Sequence, residues 1–368
     1  MRKIAFPFIG DTVGGSHRSA ALLIRELRRQ DFDAVALLHR PGPLAEYLEA
    51  SGVPYDLVGG GYLRQGAGGF AALGSLAGQV PRLAWLLRLR GYDLVHANDG
   101  RMITAWVLAA RLAGIPSVAH RRTKWAPSRL ADFALGSASR IIAISGFIYA
   151  GLPDALRDKA VVVGNPFEAD IGDRHACRSV AEELAGGTGF LVAFVGTMQP
   201  QKRPHVFLDA AARILRERPE ARFLMIGRKT DMEPALRDHA AALGLAGRLH
   251  FTGYREDAPR LAGSCDLLLA PAIGEGHGRA LIEAMLAGVP VVAAASGGHR
   301  EIVRHGETGL LVPPEDAEAM AQAALQVMSG DVNAAILATA AREWLRDTFS
   351  PPAHAKMVIE QYRQLGLT

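Results

Sequence analysis

Glu275 and Glu283 stand eight positions apart across Glu275-Gly276-His277-Gly278-Arg279-Ala280-Leu281-Ile282-Glu283. Upstream, Asp266-Leu267-Leu268-Leu269-Ala270-Pro271 has the pattern of a buried strand; downstream, a helix ends near Ala287-Gly288, before the strand Val289-Pro290-Val291-Val292-Ala293. The two carboxylates therefore bracket a loop and the first turns of a helix at the carboxyl end of a strand, where open α/β sheets bind ligands. The amides of a helix start suit a phosphate. Eight helical residues span about 12 Å, so the carboxylates can meet opposite ends of an extended ligand.

This segment resembles the E-x7-E signature of retaining glycosyltransferases of the GT-B fold, family 4. Phe194-Val195-Gly196-Thr197-Met198-Gln199-Pro200-Gln201-Lys202-Arg203-Pro204 is similar to the family's strand and loop carrying a phosphate-binding lysine. Phe223-Leu224-Met225-Ile226-Gly227 resembles its next strand, and Leu249-His250-Phe251-Thr252-Gly253-Tyr254 its nucleotide-base loop. Ser296-Gly297-Gly298 and Thr308-Gly309-Leu310-Leu311-Val312 match later turns. The resemblance covers roughly residues 189–325 and is looser in the first half of the chain.

The resemblance implies an α/β chain of GT-B type: two Rossmann-like domains facing each other across a cleft, with a C-terminal helix crossing back to the first. The expected domains are 1–166 for the acceptor, 167–347 for the nucleotide-sugar donor, and 348–368 for the returning helix. It also implies transfer of a hexose from a nucleotide diphosphate sugar, UDP- or GDP-linked, to an acceptor hydroxyl with retention of configuration.

Residue by residue, Lys202 is placed on the leaving diphosphate, Glu283 on the ribose and Glu275 beside the donor sugar. Gly276, His277, Gly278, Arg279 and Ala280 line the phosphate or sugar, His277 in contact or packing. Gly196, Thr197, Gly227, Arg228 and Tyr254 complete the donor site. Thr197 departs from the family, which has arginine there. Arg203, Arg228 or Arg279 could replace that cation, or Lys202 and backbone could serve alone. In the first domain, Gly14 and Gly15 resemble the family's glycine pair, which lets backbone approach a phosphate or acceptor. His17 faces the acceptor or sits in the helix start. His96, Asn98 and Asp99 follow a strand. His120 stands near the family's functional histidine and is the expected catalytic group of that domain, with Arg122 as the alternative.

These residues need a frame. Strand and helix patterns alternate throughout, as in parallel sheets of βαβ units. Strands are expected at 4–9, 34–38, 94–96, 117–119, 141–144 and 161–163, then at 191–195, 223–226, 249–251, 267–270 and 289–293. Ser16 is the expected cap of the first helix. Gly59-Gly60-Gly61 and Gln65-Gly66-Ala67-Gly68-Gly69 bracket a stretch read as mobile. Gly164-Asn165-Pro166 closes the first array, and the polar stretch to Gly187 reads as a linker. Helices are expected near 333–347 and 352–365.

A chain of 368 residues exceeds one ordinary core. No apolar run approaches the ~20 residues of a membrane span, and the N-terminus lacks a signal-peptide pattern. Two cysteines, Cys177 and Cys265, fit a reducing cytoplasm. A net charge of +4 is no nucleic-acid signature. Arginines do cluster: Arg82, Arg88 and Arg90 around Trp85, and Arg121, Arg122, Lys124 and Arg129 around Trp125. These clusters read as solvated helix faces or as a peripheral contact with an anionic membrane, at its inner face. Asp31-Phe32-Asp33 mimics a metal-binding DxD but lies between a helix and a strand, so it reads as a turn. No cluster has metal-ligand spacing, and no obligatory metal is expected.

The reading is a cytoplasmic glycosyltransferase of envelope polysaccharide or glycolipid synthesis, with a glycan or lipid-linked acceptor. Alternatives are a nucleotide-sugar epimerase of the same fold and a non-catalytic two-lobed sugar-binding protein. A nicotinamide oxidoreductase matches poorly, because Gly10-Asp11-Thr12-Val13-Gly14-Gly15 is not G-x-G-x-x-G.

Overall fold

The computed structural model describes residues 1–60, 69–98, 100–123, 128–168 and 173–367, with the side chains of 69–73 and 101 outside that description. The expectations for Gly61, Gln65 to Gly68, Asp99, Lys124 and Trp125 lie outside the described residues. The chain divides into two compact units, Met1–Phe167 with Phe349–Thr368, and Glu168–Thr348.

The first unit holds strands β1 (Arg2–Phe8), β2 (Phe32–Leu38), β3 (Tyr55–Leu57), β4 (Leu94–Ala97), β5 (Ser117–Arg121), β6 (Arg140–Ala143) and β7 (Ala160–Val162). They pair in parallel in the order β3-β2-β1-β4-β5-β6-β7. Side chains alternate between the two faces. Ile4, Phe6 and Phe8 of β1 face Leu23, Ile24 and Leu27 of the helix Gly15–Arg28, together with Val358, Ile359 and Tyr362 of the last helix, Pro351–Gln364. Ala5 of β1, with Val95 and Ala97 of β4, faces Leu83 and Leu87 of the helix Gly69–Leu89 and Trp106 of the helix Gly100–Ala113. The C-terminal helix thus belongs to the first unit's core. Burying an aliphatic side chain there contributes about 1.5–3 kcal/mol.

The second unit holds β8 (Leu191–Val195), β9 (Arg222–Ile226), β10 (Leu249–Gly253), β11 (Leu267–Ala270), β12 (Val291–Ala294) and β13 (Leu310–Val312), parallel in the order β10-β9-β8-β11-β12-β13. Each sheet reverses its order of growth once, between β1 and β4 and between β8 and β11. The carboxyl ends flanking such a reversal are where doubly wound sheets take ligands.

Local readings need correction at four places. The cap of the first helix is Gly14, not Ser16; its amide donates to Nδ1 of His17 at 3.0 Å, so a histidine in the first turn does the capping. His96 and His120 lie inside β4 and β5, not after them. The polar stretch read as linker contains the helix Arg174–Leu184, capped by Asp173 and fastened to the sheet by Arg178, which donates to Asp266 at 2.8 Å and to the carbonyl of Gly189 at 2.7 Å. Finally, only part of the Asp31-Phe32-Asp33 motif is turn. Asp31 has φ 62°, but Asp33 is in β2 and paired with Arg28 at 3.0 Å, at the amino end of the strand.

Candidate active site

The loops after β8 and β11 converge at the reversal of the second sheet. After β8 the chain makes a turn at Gly196 and a short 3-10 helix, Pro200–Lys202. After β11 it runs through Glu275 to the helix Arg279–Leu286. Lys202 Nζ forms an ion pair with Oε1 of Glu275, and Oε2 of the same carboxylate lies 3.2 Å from Nε2 of His299. Lys202, Glu275 and His299 line one small cavity with Ala280 and Leu281. Burial opposes ionisation of Glu275. The hydrogen bond to His299 and the adjacent Lys202 charge outweigh it and hold the carboxyl at about 2, below its ordinary 4.5.

Glycines make this convergence possible. Gly297 has φ +56°, and a Cβ there would lie 2.5 Å from the Glu275 carbonyl oxygen; one on Gly298 would lie 2.4 Å from that of Gly276. The Ser296-Gly297-Gly298 turn therefore lies flat against the Glu275 loop. The Gly298 amide donates to the Glu275 carbonyl at 2.8 Å, and Ser296 Oγ accepts from the Gly274 amide at 3.0 Å. Gly227 meets Gly196 as closely: a Cβ on Gly227 would be 1.9 Å from the Gly196 carbonyl oxygen. Arg228 thereby lies beside Thr197, and its carbonyl accepts from the Met198 amide at 3.0 Å.

The helix Arg279–Leu286 starts from Gly278 in the left-handed region, with no side chain to cap it. Its first turn is suited to an anion. Arg279 Nη1 pairs with Oε1 of Glu283 at 3.0 Å, one turn along the helix. Arg203 pairs with Glu315 and donates to the Pro200 carbonyl at 2.6 Å. Of the three arginines that could replace the cation missing at Thr197, these two are tied to carboxylates. Arg228 is exposed, and its guanidinium lies 5.5 Å from the centre of the Tyr254 ring, itself 61% exposed. His277 is buried and packs in the loop.

Lys202, Glu275, Gly276, Gly278, Arg279, Ala280 and Glu283 are thus brought together, with Gly196, Thr197, Gly227, Arg228 and Tyr254 on the adjoining loops. The sequence reading missed His299. Its signal was its place directly after the matched glycine pair.

In the first unit, Gly15 starts the helix after β1, at the other sheet reversal. His120 does not reach the carboxyl-end surface. Its ring is fully buried, with Nδ1 3.1 Å from Nε2 of His96, and it stacks on His354 at 6.0 Å between centroids. Tyr362 places its hydroxyl 2.5 Å from Nδ1 of His96, and His354 Nδ1 lies 2.6 Å from the Gly164 carbonyl. Two residues on, Arg122 is only half-buried. Its guanidinium donates to Oδ1 of Asn98 at 2.8 Å and to Asn165, and lies 3.4 Å from Nδ1 of His120. The inward pleat of β5 takes His120 into the core, so its expected role as a group touching substrate does not follow from its placement.

Residues 189–330 match the family model described as "Glycosyl transferases group 1", and residues 13–170 match "Glycosyltransferase Family 4". The phosphatidyl-myo-inositol mannosyltransferase of Mycobacterium leprae is 30% identical over 346 residues, 89% of this chain and 87% of that protein. The Escherichia coli UDP-Gal:alpha-D-GlcNAc-diphosphoundecaprenol alpha-1,3-galactosyltransferase is 24% identical over 90% of this chain and 89% of its own. Among solved structures, Anabaena Alr3699/HepE in complex with UDP and glucose superposes with a TM-score of 0.81 at 25% identity, covering 99% of this chain and 100% of that one. A glycosyltransferase from Rickettsia africae superposes with a TM-score of 0.84 at 19% identity, covering 99% and 98%.

Proposed function

We propose, for a chain that belongs to glycosyltransferase family 4 and has the GT-B fold, that it transfers a hexose from a UDP-sugar to a lipid-linked acceptor with retention of configuration. That it is a glycosyltransferase using a nucleotide sugar follows from its family. Neither the epimerase nor the non-catalytic binder is favoured, because the matched families and relatives are transferases.

One observation carries the reading of the site. Lys202 and Glu275, distant in sequence, are paired at the reversal between β8 and β11. There Lys202 and the start of the helix Arg279–Leu286 face the leaving diphosphate, whose departure needs positive charge at the breaking bond. Arg228 supplies the cation that Thr197 does not. Glu283 takes the ribose hydroxyls, leaving Arg279 to adjust as it does so. Glu275, ionised, stands beside the sugar ring and stabilises positive charge developing there. The leaving phosphate oxygen receives the acceptor proton on the same face, which gives retention without an enzymic nucleophile. Electrostatic help from Lys202, Arg228 and amides makes no demand on a metal ion.

The first unit takes the acceptor and the second the donor. In the first, Arg122 takes the place at the end of β5, and buried His120 supports it. The lipid-linked acceptor is drawn from the names of the mycobacterial and E. coli relatives. Exposed Trp85 and Leu89 lie one turn apart on the helix Gly69–Leu89, each 65% exposed, with exposed Arg82 and Arg88 on the same helix and Arg90 just past its end. That mixture supports contact with the anionic inner face of a membrane. No helix among the described residues is long and apolar enough to cross one.

A thermal-shift panel of UDP, GDP, ADP and their sugars tests the proposal. UDP and UDP-sugars raise the unfolding temperature most; a panel in which no nucleotide moves it overturns the reading.

A further inference from the structure

We infer that His299 is a positioning residue for the transfer reaction: from the turn after β12 it fixes the Glu275 carboxylate by one oxygen while Lys202 holds the other. The inference rests on the role proposed for Glu275 and extends the site to a residue on the loop after β12.

His299 is fully buried and opens the short helical turn His299–Ile302. Its Nδ1 lies 3.2 Å from the carbonyl oxygen of Ala294, the last residue of β12, and its Nε2 lies 3.2 Å from Glu275 Oε2. A carbonyl behind a histidine is the usual way of fixing ring orientation. A ring protonated at both nitrogens donates to both oxygens; a neutral ring donates to only one. The ring also underlies the helix start, since a Cβ on Gly278 would meet its Cδ2 at 2.9 Å. One imidazole therefore touches both the carboxylate assigned to the sugar and the glycine from which the phosphate-facing helix springs. The charged and titratable groups facing Glu275 are His299 and Lys202. With both in place the carboxylate is ionised, and neither of its oxygens is free to swing.

The test compares His299→Phe, which keeps an aromatic ring without donors, with His299→Gln, which keeps a donor toward Glu275. Each is made alone and combined with Glu275→Gln. His299→Phe lowers kcat about 100-fold, the effect of a misplaced catalytic group, while UDP affinity changes no more than about threefold. His299→Gln recovers much of the loss. The acid limb of the kcat profile moves to higher pH in His299→Phe, because Glu275 has lost a partner that favours its ionised form. In the Glu275→Gln background His299→Phe adds no further loss. Full kcat in His299→Phe, an undiminished loss in the Glu275→Gln background, or an unmoved acid limb overturns the inference while leaving the role of Glu275 standing. Full turnover in Glu275→Gln overturns both. Should His299→Phe fail to fold, His299→Gln is compared with the shorter His299→Asn; equal activity of the two overturns the inference.

Discussion

Lys202 and Glu275 are 73 residues apart in sequence, yet the amine and the carboxylate form an ion pair in which each side chain is less than one-fifth exposed, at 18% and 19%. The pair bridges β8 and β11, the two strands at which the second sheet reverses its order. A charge pair in that position holds a cation ready for an anionic ligand and keeps a carboxylate ionised beside it.

Replacing Lys202 by alanine removes the cation facing the diphosphate. The lost contact with a charged group is worth about 1.5–3 kcal/mol. Isothermal titration should show UDP binding weaker by about one to two orders of magnitude. An unchanged dissociation constant would remove Lys202 from the phosphate site.

Thr197 and Arg228 make a second test. The Gly196 and Gly227 turns touch, so the cation can be moved from one to the other. Arg228→Ala should weaken UDP about tenfold, the effect of a partly exposed charged contact, and Thr197→Arg in that background should restore binding. Uridine, which lacks phosphate, serves as the control: equal losses for UDP and uridine would instead place Arg228, with Tyr254, on the base.

Much of this frame was legible in the sequence because it depends on local pattern. Buried parallel strands read as apolar runs, and the Glu275 to Glu283 spacing sets a helix start. The partners of those residues were not legible. The Glu275–His299 contact depends on how the turns after β11 and β12 stack, and that is decided by Gly297 and Gly298 meeting another loop's backbone. The expected strand 117–119 stopped two residues short: β5 runs on to Arg121, so His120 lies within the sheet, under the last helix, where the sequence pattern put a loop. The cap by His17 escaped notice because imidazole is not among the usual capping groups.

Acid should destabilise the protein in two stages. Burial first, then Arg122 and His354, hold the pKa of His96 well below its ordinary 6.5, so the unfolded chain binds a proton that the folded one refuses. Stability from this source falls as pH drops below 6.5. Glu275, held at about 2 against 4.5, contributes stability that is fully present above 4.5 and is lost as pH falls toward 2. Urea denaturation of wild type and Glu275→Gln between pH 7 and 3 checks the second stage: the advantage of the wild type should shrink below 4.5. A pH-independent difference would contradict it.

The last helix is fastened to the first unit through Tyr362, whose hydroxyl is hydrogen-bonded to Nδ1 of His96, while His96 Nε2 is hydrogen-bonded to Nδ1 of His120. Tyr362→Phe keeps the ring packed and strips the hydrogen-bond partner from a fully buried imidazole. Leaving such a group unsatisfied costs about 1–3 kcal/mol, which urea denaturation should read at unchanged m-value. Replacing both partners behaves differently. Tyr362→Phe with His96→Phe removes both ends of that bond but also strips buried His120 of its contact with His96, so the double variant should lose less than the sum of the two single losses, provided the added ring fits beside Phe6, which stacks on His96 at 4.8 Å. Additive losses would show that the hydroxyl acts through packing, and that the histidine chain does not hold the helix.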